Sequence, residues 1–459
     1  MNLRNLKFAG SFFPKDPVAL HDLLDSFDTE LSHKNAVTQA PPIAIIAPHA
    51  GYQFSGKLAA AAYASCGPQR PERIVILSPS HRCRFDGIAV AGYQAYDVAG
   101  QVLPLDEDLR RDLVNRGWVQ HYDAAHEDEH GIETQLPFIS RHFKGARVLP
   151  LVIGNTTPQA VAAVIDQIMS QVQEKLLLVL SSDLSHFHDH DAAQKLDAQT
   201  AGLIETGQFD GLGPTLACGH LAIAGFLASA AGQATRVLRL AMSDSFAVTQ
   251  DAKRVVGYGA WAFFPTECEI LSPIHRETLL RVARQGTGMF LNAGRKPHIM
   301  LNSFAAPLQG YMPCFITLTH NDRLRGCIGS LAACAPLISD AVANGIKAAT
   351  GDPRFTPLTT GQQLAQLRMK VAVLSRAAAL EFDNQDDLLS QITPGVSGLI
   401  LQCGKRRGTF LPMVWDSLPE RKSFLDALKV KAGLTTDFWS EDIKVLQFHA
   451  ESFADPPKA

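Results

Sequence analysis

The chain has 459 residues, too many for one ordinary hydrophobic core, so two or three domains are expected. Its 46% hydrophobic and 19% charged residues are those of a soluble globular protein, with no span for a bilayer and no signal peptide expected. A formal net charge of −3 excludes a sequence-wide basic field for nucleic acid or for an anionic membrane.

Taken in chain order, the first part alternates short apolar runs with longer helical ones. Strands are expected at Ile43–Ala47, Ile74–Leu77, Val148–Ile153, Leu176–Leu180 and Val255–Phe264. Helices are expected between them, including Gly56–Ser65, Pro158–Gln173 and His220–Ala231. This pattern predicts an α/β domain with a central, largely buried sheet flanked by helices. Near residue 265 the pattern breaks at "FFPTECEILSPIH" and a fresh helix begins, Arg276–Ala293. Beyond it come a strand at Phe315–Thr319, a Gly-punctuated turn, a helix at Ala335–Thr350 and further strands, which read as a separate α+β domain. The domains are set at 1–265 and 273–459, joined by a short linker and expected to pack together. Eight scattered cysteines without paired CxxC spacing argue against a disulfide framework and a zinc ribbon, so a cytoplasmic chain with reduced thiols is expected.

Three strand-like runs of the first domain end on residues able to bind a ligand. His49 follows the first; "SPSH", with His81, follows the second; "SSDLSHFHDH", with Asp183 and His186, follows the fourth. Ligands of open α/β sheets sit beyond the carboxyl ends of strands, so three adjacent ends would surround one crevice with imidazoles and a carboxylate. Taken singly, each histidine could be a hydrogen-bonded loop residue, and Asp183 or Ser185 could cap a helix. In "ACGH", Cys218 precedes an apolar helical run, where a helix N-terminus would favour its thiolate; alternatively it is a small buried hydrophobe. In "HEDEHGIETQLPF", His126, Glu127, His130 and Glu133 form either a helical cluster or a solvated loop. "GYQFSGKL" falls short of a phosphate loop, because Leu58 stands where a hydroxyl would bind magnesium; Lys57 reads as the first polar residue of a helix.

The strings "AGSFFP", "APHAGYQFSG", "SPSH", "EDEHGIETQLPF", "SSDLSH" and "ACGH" resemble, in this order, the Memo family over roughly residues 5–265. That family is similar to the class III extradiol dioxygenases, which use non-haem Fe(II). "RLRGCIGSL", "GDPRFTPLT" and "GTFLPMVWD" resemble the AMMECR domain family over residues 275–455. The two families together imply the AmmeMemoRadiSam system and a radical-SAM protein as partner. Carried over by position, the resemblance implies His49, His81 and Cys218 as ligands of a divalent metal, iron first, with copper or zinc also compatible. Asp183 and His186 would be site neighbours, with His186 a base oriented or supported by Asp183. Arg325, Cys327 and Arg354 are site candidates in the second domain, where "RLRGCIG" suits a tight turn or an anion-binding loop. Three functions follow: a metal-dependent redox enzyme acting on a small molecule or peptide; a hydrolase with Cys218 as nucleophile and His186 or His220 as base; and a binding module that reuses the crevice.

Overall fold

The computed structural model describes residues 2–32, 41–67, 70–172 and 175–456, and divides the chain into two compact units, Met1–Pro265 and Thr266–Ala459. Gln173, the expected end of one helix, lies outside the described residues. No helix among them is long and apolar enough to cross a membrane.

The first unit is built on a nine-stranded sheet. At its centre the strands Ala44–Ala47, Leu176–Ser181, Arg73–Pro79 and Arg147–Ile153 lie side by side, all parallel. Their runs of Ile, Leu and Val are covered on both faces, as parallel sheets require. Because the four strands are parallel, their carboxyl ends share one edge. Val255–Pro265 adds to Ala44–Ala47 in the antiparallel sense, with Thr235–Asp244 and His186–His188 beyond it. Tyr52–Ala64, Pro158–Gln171, His190–Thr206 and His220–Ala228 are helices of this unit. Lys57, on the first of these, pairs with Glu30 at 2.8 Å on the surface, as expected of a polar helical residue. Gly56 serves packing, since a Cβ there would meet the Phe27 ring at 2.7 Å.

The second unit contains two antiparallel four-stranded sheets, so the α+β expectation describes it. One runs in the order Arg323–Gly329, Cys314–His320, Arg368–Leu374, Ala450–Ala454; the other runs Ala378–Leu380, Lys444–Phe448, Gly398–Cys403, Arg406–Phe410. The helices Pro273–Ala293, Leu337–Thr350 and Arg421–Lys431 belong to the same unit.

One local expectation is corrected. "RLRGCIG" is not a turn but an edge strand, paired along its length with Cys314–His320. Its glycines are there for space. A Cβ on Gly326 would sit 2.2 Å from the Ala348 carbonyl oxygen, and one on Gly329 would sit 2.1 Å from the Phe315 ring. Gly288, inside the helix Pro273–Ala293, has only Leu364 within ordinary contact distance, at 3.9 Å. Gly326→Ala should therefore destabilise the second unit by about 1–3 kcal/mol through overpacking. Gly288→Ala should stabilise it by roughly 0.5–1 kcal/mol through helix propensity. Thermal unfolding of the two variants checks the pair; shifts in the same direction would refute the packing assignment.

Candidate metal centre

The site begins where one strand ends. Pro48 has no N–H to continue the ladder after Ala47, and the next amide, His49 N–H, donates instead to Asp183 Oδ1 at 2.8 Å. The neighbouring strand continues to Ser181, and Ser182 N–H still donates to Ala47 O at 3.0 Å. His49 and Asp183 are thereby locked together, both buried. Burial pushes the Asp183 carboxyl up to about 7, against the opposing pull of the His49 amide. Asp183 is thus a backbone anchor, not a helix cap.

The His49 ring has a fixed tautomer. Ser181 Oγ gives its only hydrogen to Gly131 O at 2.6 Å and accepts from Gln135 Nε2 at 3.0 Å. Its contact with His49 Nδ1, at 2.9 Å, must therefore have the imidazole as donor, which leaves Nε2 with a lone pair. That Nε2 lies 3.2 Å from Cys218 Sγ. The Asp183 amide donates to the same sulfur at 3.2 Å.

His81 stands just past the end of Arg73–Pro79. Its backbone N–H donates to Glu129 Oε2 at 2.8 Å, and its ring Nδ1 meets Glu129 Oε1 at 2.7 Å. Glu129 also takes the Gly131 amide, at 2.8 Å. Burial alone would raise this carboxyl, but the His81 and Gly131 donors outweigh it and hold Glu129 below the usual carboxylate range. An ionised Glu129 accepts from His81 Nδ1–H and leaves Nε2 of that ring free as well.

His130 completes the cluster. The Nδ1 or Nε2 atoms offered by His49, His81 and His130 all lie within 4.8 Å of one another. The His130 ring packs on Phe12, with centroids 4.7 Å apart, while Arg4 and Phe8 N–H hold the neighbouring Glu133 at 3.1 and 3.0 Å. A Cβ on Gly131 would lie 2.4 Å from Ser78 Oγ and 3.2 Å from His49 Nδ1, so only glycine lets this segment close over the site. Two of its rings are held neutral. Burial, with repulsion from the other histidines, holds His49 well below the ordinary value, and the same causes bring His130 to about 4.

His186 faces the cluster from the edge of the sheet. Its Nδ1 bonds to Leu184 O at 2.8 Å, so the orienting group is this carbonyl, while Asp183 is engaged by His49. Burial and the nearby His81 lower its pKa. Cys218 differs from the helix-terminus expectation. The helix starts only at His220, and burial, reinforced by the Asp183 charge, pushes the thiol up and favours S–H. A cleft of about 620 Å³ opens beside Cys218, lined among others by Ser80, Arg84, Asp86, Asn155 and His220.

The donor set fits a divalent metal: neutral imidazoles with directed lone pairs, and a thiol whose proton a metal would replace. Sequence reasoning grouped His49 with His81 and added Cys218 by resemblance. The structure brings His130 to the two histidines and sets Cys218 against His49. Glu129 was missed, although an acidic residue directly before "HG" could have suggested a helix cap; Glu129 is that cap as well as the His81 clamp. Of the same stretch, His126 turns inward to Ala89 O at 3.1 Å.

The Memo-like protein family matches residues 4–262, and AMMECR1 matches residues 280–453. A MEMO1 family protein of Methanopyrus kandleri is 30% identical over 285 residues, covering 57% of this chain and 98% of that one. One from Aquifex aeolicus is 32% identical over 200 residues, covering 43% of this chain and 72% of its own. A further Methanopyrus kandleri protein is 35% identical over 187 residues, covering 39% of this chain and 87% of that one. The chain belongs to the Memo family and carries an AMMECR1 region after the Memo part.

Each imidazole can coordinate only when neutral, and two of the three are held below the ordinary 6.5. In the metal-free protein His130 should therefore stay neutral, and able to coordinate, as pH falls through 6.5, and protonate nearer pH 4. Titration of its ring signals by NMR measures this; a midpoint at 6.5 would contradict it.

Proposed function

We propose that the first unit is a metal-dependent redox enzyme of the non-haem iron type, acting on a small molecule or peptide that enters the cleft beside Cys218. The observation that carries the reading is the double tautomer lock: Ser181 and Glu129 each fix a ring Nδ1 and leave the Nε2 atoms of His49 and His81 as donors. Those two nitrogens, with Cys218 Sγ, would hold the ion, and His130 lies within reach as a further donor. A bound iron ion, or copper in its place, would supply Lewis-acid and one-electron chemistry, whereas zinc would supply the first alone. The chain itself contributes a base and an orienting frame. His186 donates Nδ1–H to Leu184 O, so its Nε2 is free to take a proton from a bound substrate. Asp183, held by the His49 amide, keeps the strand ends in register. The fusion of the two families in one chain supports extending the proposal to a radical-SAM partner.

A second reading has one observation in its favour. Cys218 Sγ, His49 Nε2 and Ser181 Oγ form a nucleophile, base and orienting group in series, the arrangement a thiol hydrolase needs. The raised thiol pKa works against it, since the neutral S–H is a poor nucleophile.

Iron analysis of protein loaded without oxygen separates the two. His49→Ala, His81→Ala and Cys218→Ser should each lose most of the iron while keeping the fold. Glu129→Gln should weaken affinity roughly 10–100-fold as the loss of an orienting partner. His186→Ala should keep the iron and lose turnover. Full iron retention in His49→Ala would sink the metal reading. Rapid alkylation of Cys218 in metal-free wild type, with activity to match, would favour the hydrolase.

A further inference from the structure

The second unit holds a cluster that the metal centre does not use. Cys327 lies half-buried on the edge strand Arg323–Gly329, directly across from Thr317, whose hydroxyl donates to the sulfur at 3.3 Å. The backbone of Cys327 is fully engaged by the segment 352–354. Its N–H donates to Asp352 Oδ2 at 2.8 Å, and its carbonyl accepts from Arg354 Nη2 at 3.2 Å. Asp352 in turn grips the Arg354 guanidinium through Nε and Nη2, at 2.9 and 2.7 Å. Arg325, two residues before the thiol, donates to Thr356 O. Both guanidiniums lie over the Phe355 ring, at 5.7 Å for Arg325 and 5.5 Å for Arg354.

Among the described residues, Asp352 is the only carboxylate in these contacts, against two guanidiniums. Arg325 meets a backbone oxygen and the Phe355 ring, and among the described residues no carboxylate pairs with it.

We propose that Thr317, Arg325, Cys327 and Arg354 form an oxyanion-binding site around a half-buried thiol, taking a small phosphate- or carboxylate-bearing compound. A planar guanidinium held rigid by a carboxylate and a ring is preorganised for such an anion. The hydroxyl donor of Thr317 points the sulfur, and the missing Cβ of Gly326 lets the strand lie close to the Ala348 carbonyl. The site is independent of the metal-centre reading.

Site-resolved alkylation of the full chain tests it, with Cys334, exposed in the same unit, as internal reference. Iodoacetate and iodoacetamide react alike, the sulfur displacing iodide, and differ in charge. The rate of Cys327 relative to Cys334 should be on the order of tenfold higher with iodoacetate than with iodoacetamide, as local anion concentration requires. Arg325→Gln, with unchanged thermal unfolding, should return that ratio toward the iodoacetamide value. Should a variant unfold, wild-type protein suffices: inorganic phosphate or acetate should protect Cys327 from iodoacetamide saturably and leave Cys334 untouched. Protection at lower concentration by phosphate assigns a phosphate compound, and by acetate a carboxylate. Equal ratios for the two reagents, or equal slowing of both cysteines by either anion, would overturn the proposal.

Discussion

A hydroxyl group has one hydrogen to give, and the arrangement around His49 depends on where Ser181 gives it. Once that hydrogen goes to Gly131 O, the oxygen can only accept, and the imidazole must present its lone pair on the opposite side. Gln135 supports the arrangement from below by donating to Ser181 Oγ and to Pro48 O, at 3.0 and 3.1 Å. The serine reaches this position because Leu176–Ser181 runs between the two strands that carry His49 and His81. Sheet topology and ring tautomer are thus one constraint. A slip of one residue in that strand would turn the Ser181 side chain to the opposite face of the sheet.

The electrostatic character of the centre follows from the same packing. Several imidazoles face one another in a buried space, and each disfavours a charge on the next. Asp183 is similarly reluctant to ionise, and the Cys218 thiol keeps its proton. Glu129 is the exception, held ionised by donors from both His81 and Gly131. One fixed negative charge beside a set of neutral donors suits a cation better than an anion.

The fold and half of the site could be read from the sequence, for a physical reason. Apolar runs that end in histidine are local signals, and parallel strands bring their ends together without further instruction. Thus His49 and His81 were grouped by chain pattern alone, whereas Cys218 needed the family resemblance. Glu129 and His130 were harder, because they sit at the start of one short helical turn whose last residue, Glu133, is held by Arg4 and Phe8, far away in sequence. "RLRGCIG" misled because glycine commonly marks a turn. Here its missing Cβ answers a neighbour's backbone and an aromatic ring, which no local pattern records.

The sequence distances within the centre bear on the order in which it can form during synthesis. His49, His81 and His130 leave the ribosome before Ser181, the residue that orients the first of them, and Cys218 follows later still. The strand Val255–Pro265, which closes the sheet beside Ala44–Ala47, comes last. A nascent chain therefore carries these histidines before the frame that directs their rings exists. The directed lone pairs belong to the finished unit, once Ser181 and the closing strand are in place.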